Sequence, residues 1–165
     1  ADYITAFDFD NDTVSSNNWD NQEKEGADLS AVVYWWMVET ETHFFLGYAD
    51  FHPRDWADSC WSLFKEPCHE NDMEGALVVV RKSATPFGKF EALYTEAHNT
   101  LHIFVNDPAI TKGSTSNLEK ATVTFEDGSH PELYVESKGH GVCALYFDGP
   151  KHCKHPVAQT PLDLS

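Results

Sequence analysis

Basic residues are scarce in this sequence: it has 11 Lys and Arg residues against 27 Asp and Glu residues, and its formal net charge at pH 7 is −16. Proteins that bind nucleic acid contact the phosphates with clustered Lys and Arg side chains. The charge balance therefore argues against a nucleic-acid partner. It is compatible with a cation-binding protein, a solvated acidic surface, or an acidic medium.

Long hydrophobic runs are also missing. The longest apolar run, AVVYWWMV at 31–38, has the length of a strand, whereas a membrane-spanning helix needs about 20 apolar residues. The first residues, ADYITAFDFD, contain no basic and apolar leader. These features predict no transmembrane segment, and they fit either a mature secreted protein or a cytosolic one.

Cysteine is sparse, and the CxxC spacing typical of zinc clusters does not occur. The number of cysteines, four, is even, which is typical of proteins in oxidising compartments. They allow three pairings, of which we favour the two local ones, Cys60 with Cys68 and Cys143 with Cys153. Together with the N-glycosylation sequon at 11–13, the cysteines predict an extracellular, secreted protein.

Helical periodicity is nearly absent, and short strand-like runs separated by turn-forming segments such as ATPFG and EDGSHP make up most of the chain. Many short strands at close spacing favour an antiparallel sandwich or barrel. We predict an all-β fold, an antiparallel β-sandwich with at most one or two short helices, one of them within 53–64. The strand-like runs are 30–39, 42–51, 75–82, 89–98, 100–105, 120–126, 132–137 and 141–147.

The whole chain, residues 1–165, is interpreted as one β-sandwich domain. It is long enough to bury a core, and it shows no internal repeat or low-complexity linker. Its last residues, KHPVAQTPLDLS, have the composition of a loop. Two alternatives stay open: the domain ends in a loose tail, or it continues in a segment or a processed C-terminal chain beyond this sequence.

The segment CHENDMEG at 68–75 places several charged side chains directly before ALVVVRK, which has the pattern of a buried strand. His69, Asp72 and Glu74 would converge on one point if the segment curls as a loop that enters the strand. Upstream, Asp55 follows a proline-stiffened turn in FHPRDW. A divalent cation would offset the cost of charge at the edge of the core. The alternative is a surface loop whose charges are solvated.

The segments PRDW, CHENDMEG and HPELYVESKGHG resemble the necrosis- and ethylene-inducing peptide-like (NLP) cytolysins and related β-sandwich proteins. That family carries a GHRHDWE heptapeptide, whose H-x-x-D-x-E spacing is met here by His69, Asp72 and Glu74. A family aspartate after PK precedes the heptapeptide and corresponds to Asp55. The family's second His and its Trp are Asn and Met in this chain.

The resemblance, which covers approximately residues 30–147, implies a divalent-cation site on a β-sandwich. Oxygen-rich donor sets favour Ca²⁺ or Mg²⁺, and a single imidazole places Zn²⁺ and Mn²⁺ behind them. The implied ligands are Asp55, His69, Asp72 and Glu74.

The sequence DFDNDT places Asp8, Asp10 and Asp12 at the D-x-D-x-D spacing that opens many calcium-binding loops. Thr13 occupies the position of the sharp-turn glycine, and no glutamate closes the loop at its twelfth position. An EF-hand is therefore excluded. We interpret the segment as a capped acidic turn, and an irregular Ca²⁺ site is the alternative.

Glu136 and His140, in ESKGHG, are the candidate catalytic residues. Gly139 and Gly141 flank His140 and suit a tight turn that exposes a side chain at a cleft, and an imidazole can act as a general acid or base near neutrality. The resemblance places His140 at the same end of the sandwich as the implied cation site. The alternative is a structural histidine that bonds to a backbone carbonyl.

Two classes of function are compatible with these residues. In the first, which the resemblance favours, a secreted, cytolysin-like protein uses its cation to recognise hydroxyl or phosphate groups of a glycan or lipid headgroup on a cell surface. In the second, a metal-dependent hydrolase acts on a small polar substrate with metal-activated water, and Glu136 and His140 transfer protons. An enzyme requires an uncommitted acid or base near the metal, whereas a binding protein requires only the ligands and an aromatic rim.

Overall fold

The computed structural model describes residues 3–56, 68–97, 100–110, 118–119 and 122–144. One helical turn and nine strands are found in these ranges, which confirms the predicted all-β fold. No helix within them is long and apolar enough to span a membrane. In chain order the elements are α1 (Asn18–Asn21), β1 (Val33–Glu39), β2 (His43–Asp55), β3 (His69–Arg81), β4 (Lys89–Ala97), β5 (Thr100–Phe104), β6 (Phe125–Glu126), β7 (His130–Pro131), β8 (Leu133–Val135) and β9 (Val142–Ala144).

Five strands form one antiparallel sheet in the order β1-β2-β3-β4-β5. Each strand pairs with the next one along the chain, and the central strands carry the β-branched and aromatic residues that suit a pleated, half-buried surface. The β2–β3 pair is the longest, because both strands have 13 residues. Its ladder runs from His43 opposite Arg81 to Asp55 opposite His69.

The second layer consists of two short strand pairs, β6–β7 and β8–β9. Val78 and Leu93 from the main sheet pack in one hydrophobic cluster with Leu133 of β8 and Val142 of β9. Burial of these side chains between two layers removes apolar surface from water, which is the main stabilising contribution in a sandwich. The core therefore lies on one face of the five-stranded sheet.

Each of the eight predicted strand-like runs contains a strand. The helix predicted within 53–64 is wrong in its first part, because residues 53–55 continue β2; residues 57–64 lie outside the described residues. Residues 69–74 are also not the predicted loop but the first half of β3. The reason is cross-strand pairing: β2 stays extended as far as Asp55, and pairing satisfies the backbone groups of both strands.

Candidate cation site

The candidate site lies at one end of the β2–β3 ladder, where both strands carry polar side chains. Because residues directly opposite each other on an antiparallel pair lie side by side, the register decides which of them can interact. The pairs at this end are Asp50 with Glu74, His52 with Asp72, and Asp55 with His69.

The ladder is irregular between these pairs. Pro53 has no N–H to donate, Asn71 has a positive φ of 65°, and neither takes part in the register. Asp72 lies opposite His52, and Asp55 follows His52 by three residues. In a regular strand, the side chains of His52 and Asp55 would therefore point to opposite faces of the sheet. The irregularity therefore accounts for the approach of side chains that strict alternation would separate.

Three of the four predicted cation ligands converge at this point. Asp55, His69 and Asp72 each offer one ligand atom, and these atoms all lie within 4.8 Å of one another. His69 Nε2 is 3.1 Å from Asp55 Oδ2. Because His69 is exposed and Asp72 is buried, the cluster opens to solvent at the histidine and is anchored in the protein at Asp72.

One buried histidine, His140, contacts Asp72, and a second, His52, stacks on it. His140 Nδ1 lies 2.9 Å from Asp72 Oδ2, and His52 Nε2 lies 3.2 Å from Asp50 Oδ2. The rings of His52 and His140 stack with centroids 3.6 Å apart and planes 5° apart. The contacts form a chain from Asp50 through His52 and His140 to Asp72. They fix the orientation of the Asp72 side chain.

Glu74, the fourth predicted ligand, lies next to the cluster and not within it. Its Oε2 atom is buried and has no hydrogen-bond partner among the described residues. Burial, followed by the negative charges of Asp72, Glu96, Asp50 and Asp55, raises the pKa of Glu74 from 4.5 to about 8. The surroundings of Glu74 therefore disfavour the ionised form of its carboxyl group.

The two candidate catalytic residues share the turn between β8 and β9, and both are buried. His140 is 0% exposed and Glu136 is 4% exposed. The Glu136 N–H donates to the Gly141 carbonyl at 3.0 Å, and a Cβ at position 141 would lie 3.4 Å from Glu136 Oε2. The expected exposure at a cleft is therefore wrong, because the turn packs against the sheet; the catalytic role of both residues stays a prediction.

Two tryptophans and an arginine pack together at the end of β2 that carries Asp55. The rings of Trp19 and Trp56 lie 4.9 Å apart, and the Arg54 guanidinium lies 5.1 Å from the first ring and 5.3 Å from the second. Arg54 Nη1 also donates to Glu23 Oε1 at 2.9 Å. A cation packed on aromatic faces adds to the stability of this arrangement, and Arg54 and Trp56 are the chain neighbours of Asp55.

Sequence reasoning did not identify Asp50, His52 and Arg54 as residues of this site. The signal that could have found them is their D-x-H-x-R spacing on β2, because alternate residues of a strand share one face. That face is paired in register with the acidic positions of β3.

The donor set is compatible with a divalent cation. Asp55 and Asp72 supply carboxylates, His69 supplies an imidazole, and Glu74 holds a further buried oxygen nearby. Carboxylate-rich sets suit Ca²⁺, Mg²⁺ or Mn²⁺, and an added imidazole also suits Zn²⁺.

Cys68 directly precedes β3, and Cys143 lies in β9. Neither is a free thiol. The two favoured pairings involve Cys60 and Cys153, which lie outside the described residues, so these pairings stay a prediction.

The fold and its strand order define an antiparallel β-sandwich protein, and three solved structures are similar to it. The first, "Toxin fold for microbial attack and plant defense", is 19% identical with a TM-score of 0.44, and the match covers 68% of this chain and 44% of that chain. The second, the "non-toxic HaNLP3 protein", is 13% identical with a TM-score of 0.42 over 72% of this chain and 47% of that chain.

The third is the necrosis and ethylene inducing protein 2 from the causal agent of cocoa's witches' broom disease, which is 16% identical with a TM-score of 0.39 over 74% of this chain and 48% of that chain. The chain thus spans less than half the length of each solved protein. The similarity to the toxin-fold and NLP proteins is distant. No protein-family model and no curated protein matches the chain.

Proposed function

We propose that this protein is a secreted, cytolysin-like β-sandwich protein that binds a divalent cation with Asp55, His69 and Asp72. In this proposal Glu74 adds a further oxygen, and the cation recognises hydroxyl or phosphate oxygens of a glycan or lipid headgroup at a cell surface. Ca²⁺ and Mg²⁺ are the preferred ions, ahead of Zn²⁺ and Mn²⁺, because carboxylate oxygens dominate the donor set.

The observation that carries the proposal is the convergence of the three ligand atoms within 4.8 Å. These atoms come from two strands and from both sides of an irregular point in the ladder, so their proximity requires a specific backbone arrangement. The exposed His69 leaves the cluster open on one side. Carbonyl groups, water or a ligand would complete the shell that a hard cation requires.

The two tryptophans and Arg54 support a binding function. Arg54 and Trp56 are the chain neighbours of Asp55, and Arg54 packs on the rings of both Trp19 and Trp56. Aromatic side chains suit contacts with the apolar faces of a sugar. In this proposal the two tryptophans, held by the buried Arg54, would form the rim that a binding protein requires.

The alternative is a metal-dependent hydrolase, and the contact of His140 with Asp72 favours it. A bound cation would supply a Lewis acid and lower the pKa of water. Because His140 and Glu136 are buried, they would act on a proton only through Asp72 or through local opening of the β8–β9 turn. Their role would then be to position Asp72 and to hold a proton at its carboxylate.

The cation claim is tested by isothermal titration of chelator-treated protein with Ca²⁺, Mg²⁺, Mn²⁺ and Zn²⁺. We expect Asp72→Asn to lose one bound cation per chain, because the amide keeps the shape of the side chain but removes its charge. Glu126→Gln, which changes an exposed residue of β6, serves as the control and should bind like the wild type. Equal stoichiometry in Asp72→Asn and the wild type, with both proteins folded, would contradict the proposal.

The same proteins distinguish the two functions. If the protein is a hydrolase, the wild type should turn over a phosphoryl, glycosyl or peptide substrate, and His140→Ala should lose this turnover and also bind the cation more weakly, because His140 orients Asp72. If it is a binding protein, the wild type has no turnover to lose, and Asp72→Asn should release it from vesicles or glycans that the wild type retains.

A further inference from the structure

The strand β1 lies at one edge of the five-stranded sheet, since β2 is the only strand of the described residues that pairs with it. An edge strand presents N–H and C=O groups on the side that faces away from the sheet. Outside the strand pairs, none of the backbone hydrogen bonds found in the described ranges involves residues 33–39. The outer side of β1 is therefore open to another strand.

The opposite edge of the same sheet is covered. Ile103 of β5 forms a parallel bridge with Leu118, and the Glu119 N–H donates to the Ile103 carbonyl at 2.8 Å. A segment that already pairs with an edge strand blocks the approach of a further strand. Of the two edges of the sheet, β1 is therefore the one at which the sheet can be extended.

Four consecutive large apolar side chains of β1 are about half exposed or more. They are Trp35 (67%), Trp36 (50%), Met37 (49%) and Val38 (54%). Met37 lies opposite Leu46, which lies opposite Val78 of the core cluster. Because side chains alternate along a strand, Trp35 and Met37 share the core face, and the other two share the opposite face. A partner on one face would cover only two of the four, whereas a strand added at the edge flanks all of them.

The strand is uncharged over most of its length, although the chain has 27 acidic residues. Residues 29–38, LSAVVYWWMV, contain no Asp, Glu, Lys, Arg or His. Natural edge strands are commonly protected by charged residues, by Pro or by bulges, and the ladder of β1 with β2 is unbroken. Glu39, at the end of β1, is compensated by Lys82 Nζ at 2.5 Å from its Oε1 atom. Two copies of this acidic protein can therefore meet along β1 without bringing uncompensated carboxylates together.

Trp36 is the middle residue of β1, and its ring leans over β2. A Cβ at Gly47, the residue opposite Trp36, would lie 2.1 Å from two atoms of this ring. The ring thus occupies the space above Gly47 and leaves the backbone of the free edge accessible. Two copies of Trp36 can therefore lie opposite each other without a clash of their rings.

We propose that β1 is a self-association edge, at which two copies of this chain pair in antiparallel orientation about a two-fold axis at Trp36. The two five-stranded sheets then form one continuous sheet. This register pairs all seven residues of each strand, and it places Trp35 opposite Met37 of the second copy. Aromatic and thioether side chains in such cross-strand positions attract each other. The contact is isologous, as in most homodimers.

Antiparallel pairing also separates the candidate cation sites of the two copies. Val33, at the first end of β1, lies opposite Asp50, and β2 continues from there to Asp55. Because β1 of the second copy runs in the opposite direction, its cation site lies at the other end of the joined sheet. The acidic ends are therefore kept apart, which lowers the repulsion between two chains of net charge −16.

Sedimentation velocity of the full chain over a concentration series tests the proposal. β1 supplies seven residues per copy, against about 20–30 in a standard interface, so we expect a monomer that converts to a dimer as the concentration rises. Trp35→Lys and Met37→Glu should each shift this conversion to higher concentration, because each places a charge opposite an apolar side chain. Leu101→Lys, at an exposed position of the covered edge strand, is the control and should behave like the wild type.

A mixture of the two β1 variants tests the register. Trp35→Lys and Met37→Glu in equal amounts should dimerise at lower concentration than either variant alone, because the axis at Trp36 places their opposite charges side by side. Near-UV circular dichroism checks that every variant is folded.

Three results would overturn the proposal: a wild type that stays monomeric at every concentration, an equal loss in Leu101→Lys, or a mixture without recovery. A monomeric wild type that binds phosphatidylcholine vesicles, together with a Trp35→Lys variant that does not, would assign β1 to a lipid surface instead.

Discussion

Asp72 has two sets of neighbours with different chemistry. On one side its carboxylate lies within 4.8 Å of the ligand atoms of Asp55 and His69, and on the interior side it contacts His140. A carboxylate held by a buried imidazole is oriented before any ion arrives, as are the ligands of well-defined metal sites. At the residue scale, both proposed functions therefore depend on this one side chain.

Glu74 gives the site a dependence on pH in the absence of a cation. Its pKa of about 8 lies above the ordinary value of 4.5, so the folded protein retains a proton that the unfolded chain releases. The folded state then binds more protons between these two values, and stability falls as the pH rises through them. We expect chelator-treated wild type to lose stability over this interval, as followed by thermal denaturation.

Glu74→Gln should remove this loss, because the amide carries no charge at any pH in the interval. Glu126→Gln, at an exposed position, should keep the pH dependence of the wild type. If Glu74→Gln and the wild type show the same slope, the carboxyl group of Glu74 is not responsible. A saturating cation should also flatten the slope of the wild type if Glu74 adds its oxygen to the ion.

At the scale of elements, the sequence predicted the positions of the strands better than it predicted the register in which they pair. The β-branched run at 76–80 predicts a strand because apolar residues fit a buried, pleated surface. Residues 69–74 do not have that pattern, and they are extended because β2 pairs with them. Pairing is a tertiary effect, so a local pattern could indicate the H-x-x-D-x-E spacing on β3 but not that Asp50 and His52 of β2 lie opposite it.

Gly75 lies in β3 between the polar half of the strand and its apolar half. A Cβ at this position would lie 2.4 Å from the Tyr48 carbonyl oxygen, which belongs to the backbone of β2 and cannot rotate away. We expect Gly75→Ala to lower the free energy of unfolding by about 1–3 kcal/mol, the usual cost of overpacking. Chemical denaturation measures this change.

Gly47→Ala, in β2, is the matched control for this substitution. Its Cβ would lie 2.1 Å from the Trp36 ring, but Trp36 is 50% exposed and can move toward solvent. The control should therefore cost less than Gly75→Ala. An equal or larger loss in the control would show that the backbone approach at Gly75 is not the determining contact.

At the scale of the whole molecule, charge and core are separated. The net charge of −16 is compatible with cation binding, and the acidic residues Asp55 and Asp72 lie close together at one end of β2 and β3. The apolar residues of the core lie further along the same strands, between the sheet and the β8–β9 pair. Composition indicated the acidity and the strand-like runs indicated the all-β class, but only the folded chain shows that Asp50, Asp55, Asp72 and Glu74 lie together at one end of the β2–β3 pair.

The two-layer arrangement itself is tested at Leu93, which is 0% exposed and packs in the cluster that joins the layers. Leu93→Ala leaves a cavity between the layers, and we expect the free energy of unfolding to fall by about 2–5 kcal/mol. Leu101→Ala on β5 is the control, since this leucine is 46% exposed and should change stability by no more than about 0.5 kcal/mol. A small effect of Leu93→Ala, comparable to that of the control, would mean that the second layer does not close over the sheet at this position.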